Sequence, residues 1–240
     1  MHVLFVCSGN VCRSPIAERL TRAYAVDRGI SHLTAESAGV RALVGFPIEP
    51  IAARVVEGLG ASADGFTARR LRPEMIKRAD LVLAMTEQLR DRSMELVLGT
   101  SHCTFTLREA DRIARDTGAR TVAELAVARR DYGPIENPNI SDPVGLSEAA
   151  FTQVGDQIAA SLMSLLDVLD LESATNPEVD EAMCPDPAPE PEAEPEPEPV
   201  PTPDRAPAPT AAPTFMLPLS PRPLVAARAA SSILDYPVTW

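Results

Sequence analysis

Histidine and cysteine are scarce in this 240-residue chain, with three of the first and four of the second. His2, His32 and His102 are scattered and show no metal-ligand spacing, so neither a metal site nor any other cofactor is expected. Four cysteines and a chain that opens directly in a strand, with no secretory leader, point to a reducing cytoplasm. No apolar run approaches the length of a membrane-spanning helix, so no membrane role is expected. Basic charge is short as well. Lys and Arg number 22 against 34 Asp and Glu, and the net of −12 argues against a nucleic-acid partner.

The acidity is uneven. Residues 172–240 carry 12 acids and 3 arginines, a net of −9, which leaves residues 1–171 at only −3. The same stretch holds 17 of the 24 prolines, and 185–203 is little but Pro, Glu and Ala. Such a composition cannot bury a core, and proline blocks regular hydrogen bonding. It reads as a disordered, self-repelling, partly polyproline II tail, with Cys184 as an exposed thiol. Farther on, Phe215, Met216 and Leu217, the run 224–234, Tyr236 and Trp240 are less polar. They read as incidental apolar residues on solvated chain; a protein partner docking on a flexible leash is the alternative.

Residues 1–171 alternate apolar strands with helical patterns, as in an α/β domain with a parallel sheet. Strands are expected at 2–6, 33–36, 80–85 and 103–107. Helices are expected at 15–28, at 51–59 and from Ser147 onward, where Phe151, Val154, Ile158, Leu162, Leu165 and Leu169 form one apolar stripe. Thr86 reads as the cap of a further helix. Thr121 and Glu124 have capping-box spacing. Cys103 is expected in or beside the sheet.

The most informative segment is Cys7-Ser8-Gly9-Asn10-Val11-Cys12-Arg13-Ser14-Pro15. It joins the first strand to the first helix, with Ser14 expected as N-cap and Pro15 in the first turn. Helix N-termini bind anions and activate thiols. A loop that curls around one point presents a ring of amides that holds a tetrahedral oxyanion. Gly9 offers the freedom to curl, and Asn10 tolerates a left-handed conformation. Arg13 adds a planar fork for phosphate. Cys7 faces the same centre as a candidate nucleophile, and the Ser14 hydroxyl can hydrogen-bond its sulfur. The amides of Ser8, Gly9, Asn10, Val11, Cys12 and Arg13 are the expected cradle.

The motif V-C-x-G-N-x-C-R-S-P, matched from Val6 to Pro15, resembles that of the low-molecular-weight protein tyrosine phosphatases. The resemblance covers residues 1–171 and implies a four-stranded parallel sheet with helices on both faces. It also implies a phosphocysteine intermediate on Cys7 and phosphoryl binding by Arg13. That family takes its general acid from an Asp-Pro pair before the last helix, which here matches Asp142-Pro143. The implied substrate is a phosphotyrosine protein or a small aryl phosphate ester. Cys12 beside Cys7 suggests a reversible disulfide that protects an oxidised thiol, with simple packing as the alternative.

Three positions depart from the family. Val144 stands where many members carry aromatic residues. Leu43 stands where eukaryotic members often have tryptophan, and Phe66 replaces a common histidine. The phosphate chemistry is intact while the pocket rim is aliphatic. Two other functions fit the same loop. A thiol-dependent arsenate reductase would need further relay cysteines, and only Cys103 follows Cys12 within 1–171. A phospho-ligand binding protein with weak catalysis would have no physical need for Asp142.

Overall fold

The computed structural model describes residues 1–169 and 171. The expectations for 172–240, including Cys184 and the apolar segments near the terminus, lie outside the described residues.

The apolar run after Met1 forms β1 (His2–Cys7), buried from Val3 to Cys7. It pairs in parallel with β2 (Thr34–Gly39) and with β3 (Leu81–Ala84), and β3 pairs with β4 (Thr104–Thr106). The sheet order is β2-β1-β3-β4, so β1 is central and its carboxyl end lies at the switch point of the topology. β1 and β3 bury both faces, which parallel strands do when helices cover each side.

Several helices begin at a side chain that satisfies their free amides. α1 is Arg13–Asp27. α2 (Pro50–Gly58) has proline in its first turn and is capped by Glu49, whose carboxylate accepts from the amides of Ile51 and Ala52 at 2.9 Å each. α3 is Pro73–Arg78, and α4 (Glu87–Leu96) is capped by Thr86 as expected. A short 3₁₀ turn, Thr100–His102, precedes β4. α5 (Leu107–Thr117) starts in a full capping box of Thr106 and Glu109 and ends at left-handed Gly118. α6 is Val122–Asp131. Thr121 caps it, but Glu124 accepts from the Arg120 amide, so the expected box there is only half made. α7 (Glu148–Val168) buries Phe151, Val154, Ile158, Leu162 and Leu165 and packs against α1, α2 and α5.

Several boundaries move. β2 runs on to Gly39 rather than stopping at 36, because it pairs with β1 as far as Cys7. α1 begins at Arg13, and its N-cap is Cys12 rather than Ser14. α3 and α5 have no counterpart among the expected helices. Among the described residues, no helix is long and apolar enough to cross a membrane.

Candidate active site

Residues 8–12 carry the chain from the end of β1 into the first turn of α1. Their shape is imposed from outside. The carbonyls of Cys7, Ser8, Gly9 and Val11 accept from the amides of Val40, Arg41, Leu43 and Glu49 at 2.8–3.1 Å. With the carbonyls pulled outward, the amide N–H groups are left to the inner side of the loop. Asn10, not Gly9, takes the left-handed conformation, at φ 55°. Gly39 lies so close beneath that a Cβ there would collide with the Ser8 carbonyl and come within 2.9 Å of the Asn10 nitrogen. The N-terminus of α1 has no side-chain cap, so its dipole and free amides also face the loop.

Two donors meet at the buried sulfur of Cys7: Ser14 Oγ at 2.9 Å and the Asn10 amide at 3.2 Å. Ser14 therefore serves the sulfur instead of capping the helix. The Asn10 amide group donates to Ser14 Oγ at 3.0 Å and to Ser37 Oγ at 2.8 Å, while its oxygen accepts from the Arg69 amide at 2.8 Å. Ser37 in turn donates to the buried carboxylate of Glu18 at 2.6 Å. Glu18 is balanced by Arg22 at 2.8 Å and Arg69 at 3.7 Å. Ser37, Glu18 and Arg69 were not expected at the site. The spacing of Glu18 and Arg22, one helical turn apart, was their one visible signal.

The Arg13 guanidinium is buried. It donates to the Ile140 carbonyl at 3.0 Å and pairs with the Asp142 carboxylate. The Ile140 amide donates to the Met85 carbonyl at 2.8 Å, so the segment holding Asp142 is pinned to the end of β3, one strand over from Cys7. Cys7, Arg13 and Asp142 line one hollow of about 260 Å³ together with Ser8, Gly9, Val11 and Cys12. Larger hollows exist, such as one of about 510 Å³ lined by Arg22 and Leu33, but no cysteine lines it.

Cys12 is buried, and that burial, followed by the negative charge of Cys7 and Asp142, pushes its thiol far above the ordinary range. Leu43 and Val144 sit half-exposed on the rim of the hollow. Phe66 is buried away from the rim, under the guanidinium of Arg19, whose carbon lies 5.5 Å from the ring centre. Cys103 lies at the opposite end of the sheet from Cys7, just before β4. Among the described residues no three His, Cys, Asp or Glu side chains are grouped to hold a metal ion.

The family model for low molecular weight phosphotyrosine protein phosphatase matches residues 2–117, which carry the loop and all four strands of the sheet. Over that stretch the chain is similar to that family. The low molecular weight protein-tyrosine-phosphatase Etp of Escherichia coli K12 is 42% identical over 86 residues, which are 36% of this chain and 55% of Etp. The matched stretch thus spans about half the length of the curated relatives. In solved structures the likeness runs farther. A low molecular weight protein tyrosine phosphatase from T. tengcongensis matches 70% of this chain and 99% of its own, at 28% identity and TM-score 0.56. A structure described as YwlE arginine phosphatase from Geobacillus stearothermophilus matches 69% and 90%, at 26% identity and TM-score 0.53. Low molecular weight phosphatases thus share this four-stranded parallel fold.

Proposed function

We propose that this chain is a protein-tyrosine phosphatase that hydrolyses phosphomonoesters through a phosphocysteine on Cys7, without a metal. The observation that carries this is the convergence on one sulfur of the Ser14 hydroxyl and the Asn10 amide, in the hollow that also holds Arg13 and Asp142. Donors at sulfur stabilise it as a nucleophile and, later, as a leaving group.

The sulfur attacks phosphorus in line with the ester oxygen. Arg13 and the inward amides hold the three equatorial oxygens, where charge builds in the transition state. The phosphate takes the place of the Asp142 carboxylate on Arg13, and protonated Asp142 gives its proton to the departing oxygen. The phosphorus–oxygen bond breaks as the sulfur–phosphorus bond forms. In the second half, Asp142 takes a proton from water, which attacks phosphorus, and Cys7 leaves as thiolate. The place of Cys103, at the far end of the sheet from Cys7, favours this route over a thiol relay to arsenate.

The test is hydrolysis in chelator-treated buffer of an aryl phosphate, a phosphotyrosine peptide and a phosphoarginine peptide by wild type, Cys7→Ser and Asp142→Ala. Wild type is expected to cleave the first two and Cys7→Ser none. Faster cleavage of the phosphoarginine peptide would move the assignment to nitrogen-linked phosphate. Undiminished activity in Cys7→Ser would overturn the mechanism.

A further inference from the structure

Arg41 is a cation at the mouth of the hollow that the phosphoryl chemistry does not use. It follows directly on Val40, beyond the end of β2, and is tied twice to the residue next to Cys7. Its amide donates to the Ser8 carbonyl at 2.9 Å and its guanidinium to Ser8 Oγ at 3.3 Å. It is exposed and lines the same hollow as Cys7, Arg13 and Asp142. Other arginines around the loop are matched by carboxylates, Arg13 by Asp142, Arg22 by Glu18, and Arg69 by Glu18 and Glu36. Among the described residues, no carboxylate lies within ion-pair distance of Arg41. The charge is local, since residues 1–171 are net acidic.

The rest of the mouth is apolar. Leu43 and Val144 line it at 50% and 55% exposure, and Val44, Phe46 and Leu146, adjoining them in sequence, are exposed too. Apolar side chains left in water beside a binding site mark a contact surface. This one includes more residues than a single ring would cover, and a bare phosphate ester would leave Arg41 unanswered.

We propose that Arg41 selects the substrate: a phosphorylated side chain on a polypeptide, with a carboxylate one or two residues away to pair with Arg41. The apolar rim takes the aryl ring and a neighbouring apolar side chain. This inference rests on the phosphatase function proposed above. A rim cation acts through charge complementarity and encounter rate more than through buried contact. Exposed ion pairs are weak, so the expected preference is roughly fivefold.

The test uses two phosphotyrosine peptides that differ only in Glu or Gln on either side of the phosphotyrosine. The ratio of their kcat/KM values is read for wild type, Arg41→Ala, Arg41→Lys and Arg41→Glu. Wild type and Arg41→Lys are expected to favour the acidic peptide about fivefold, Arg41→Ala to fall near unity, and Arg41→Glu to invert the order. Raised salt should shrink the wild-type ratio. A wild-type ratio of one, or a ratio that survives Arg41→Ala, overturns the role of Arg41 alone. Cleavage of neither peptide by wild type overturns the phosphatase reading with it.

Discussion

The carboxylate of Asp142 rests on the guanidinium of Arg13, although 129 positions separate them in the chain. In the proposed mechanism the pair joins the group that would hold phosphate to the group that would protonate the leaving oxygen, so an arriving phosphate would displace the second from the first. Asp142→Asn should therefore lower kcat by roughly a hundredfold or more, the usual loss with a general acid. It should at the same time bind orthovanadate at least as tightly as wild type, because Arg13 no longer shares its charge. Inhibition constants measured beside kcat check this; weaker vanadate binding would mean that Asp142 supports the anion site.

The hydrogen bonds behind Cys7 have a fixed direction. Ser37 spends its one hydrogen on Glu18, so it can only accept from Asn10. Asn10 donates again to Ser14, and the Ser14 hydrogen is left for the sulfur. A glutamine at position 18 can donate to Ser37 and undo this order. Glu18→Gln is expected to cost about tenfold in kcat, the scale of one hydrogen bond to a charged group. Unchanged kcat in a variant of normal Tm would show that Glu18 does not orient the chain of donors.

Gly39 is the point where the sheet touches the loop. Gly39→Ala would force the Ser8 carbonyl and the Asn10 amide to move, since backbone cannot swing aside as a long side chain can. A loss of about 1–3 kcal/mol is expected from overpacking. Phosphate binding should fall with it. Calorimetry with and without phosphate measures both effects, and a variant with normal ligand stabilisation would contradict the close fit.

The two cysteines of the loop should react differently. Burial first, and then the charges of Cys7 and Asp142, raise the Cys12 thiol so far that it stays neutral at any working pH. Iodoacetamide at pH 8 is expected to label Cys7, to be blocked by phosphate, and to spare Cys12, as mass spectrometry of the peptides would report. A disulfide between the two remains a proposal. Peroxide inactivation that stays reversible by thiols in Cys12→Ser would rule out a protective role.

Glu36 gives the domain an acid limit. Burial alone would raise its carboxyl, but hydrogen bonds from Arg78, at 3.0 and 2.5 Å, and from His2, at 3.0 Å, outweigh it and hold the group below its usual range. The charged form is thus favoured in the native state. Its contribution is complete above about pH 4.3, the ordinary value for glutamate, and vanishes as pH falls through the lower native value. Between pH 6 and pH 3, wild type should lose more stability than Glu36→Gln, and denaturant titration at the two pH values decides it.

Much of the site could be read from the residues, and the reason is local. Cys7, Arg13 and Ser14 lie on one continuous strand, loop and helix start, so their meeting needs only the short-range preferences of that segment. Even there, the cap was misplaced, because Ser14 has a stronger partner in the Cys7 sulfur than in the helix amides. The helix α5 was hidden because Leu107, Ala110, Ile113 and Ala114 follow β4 without a break, and only the Thr106–Glu109 box marks the change. The rim positions Leu43 and Val144 were identified, yet the role of residues 40–49 in holding the loop open was not. Backbone hydrogen bonds between distant segments leave no mark on side-chain patterns.

The residues alone point to Cys7 as the candidate nucleophile, to Arg13 as the candidate phosphate fork and to the parallel α/β fold, since each depends on neighbours along the chain or on hydrophobic period. Tertiary structure alone decided what stands behind and around them. The register of β1 against β2 sets Gly39 under the loop and Ser37 against Asn10, and the bond from Ile140 to Met85 brings Asp142 to Arg13. These are contacts between residues tens of positions apart, and only the packing of strand on strand fixes which of them meet.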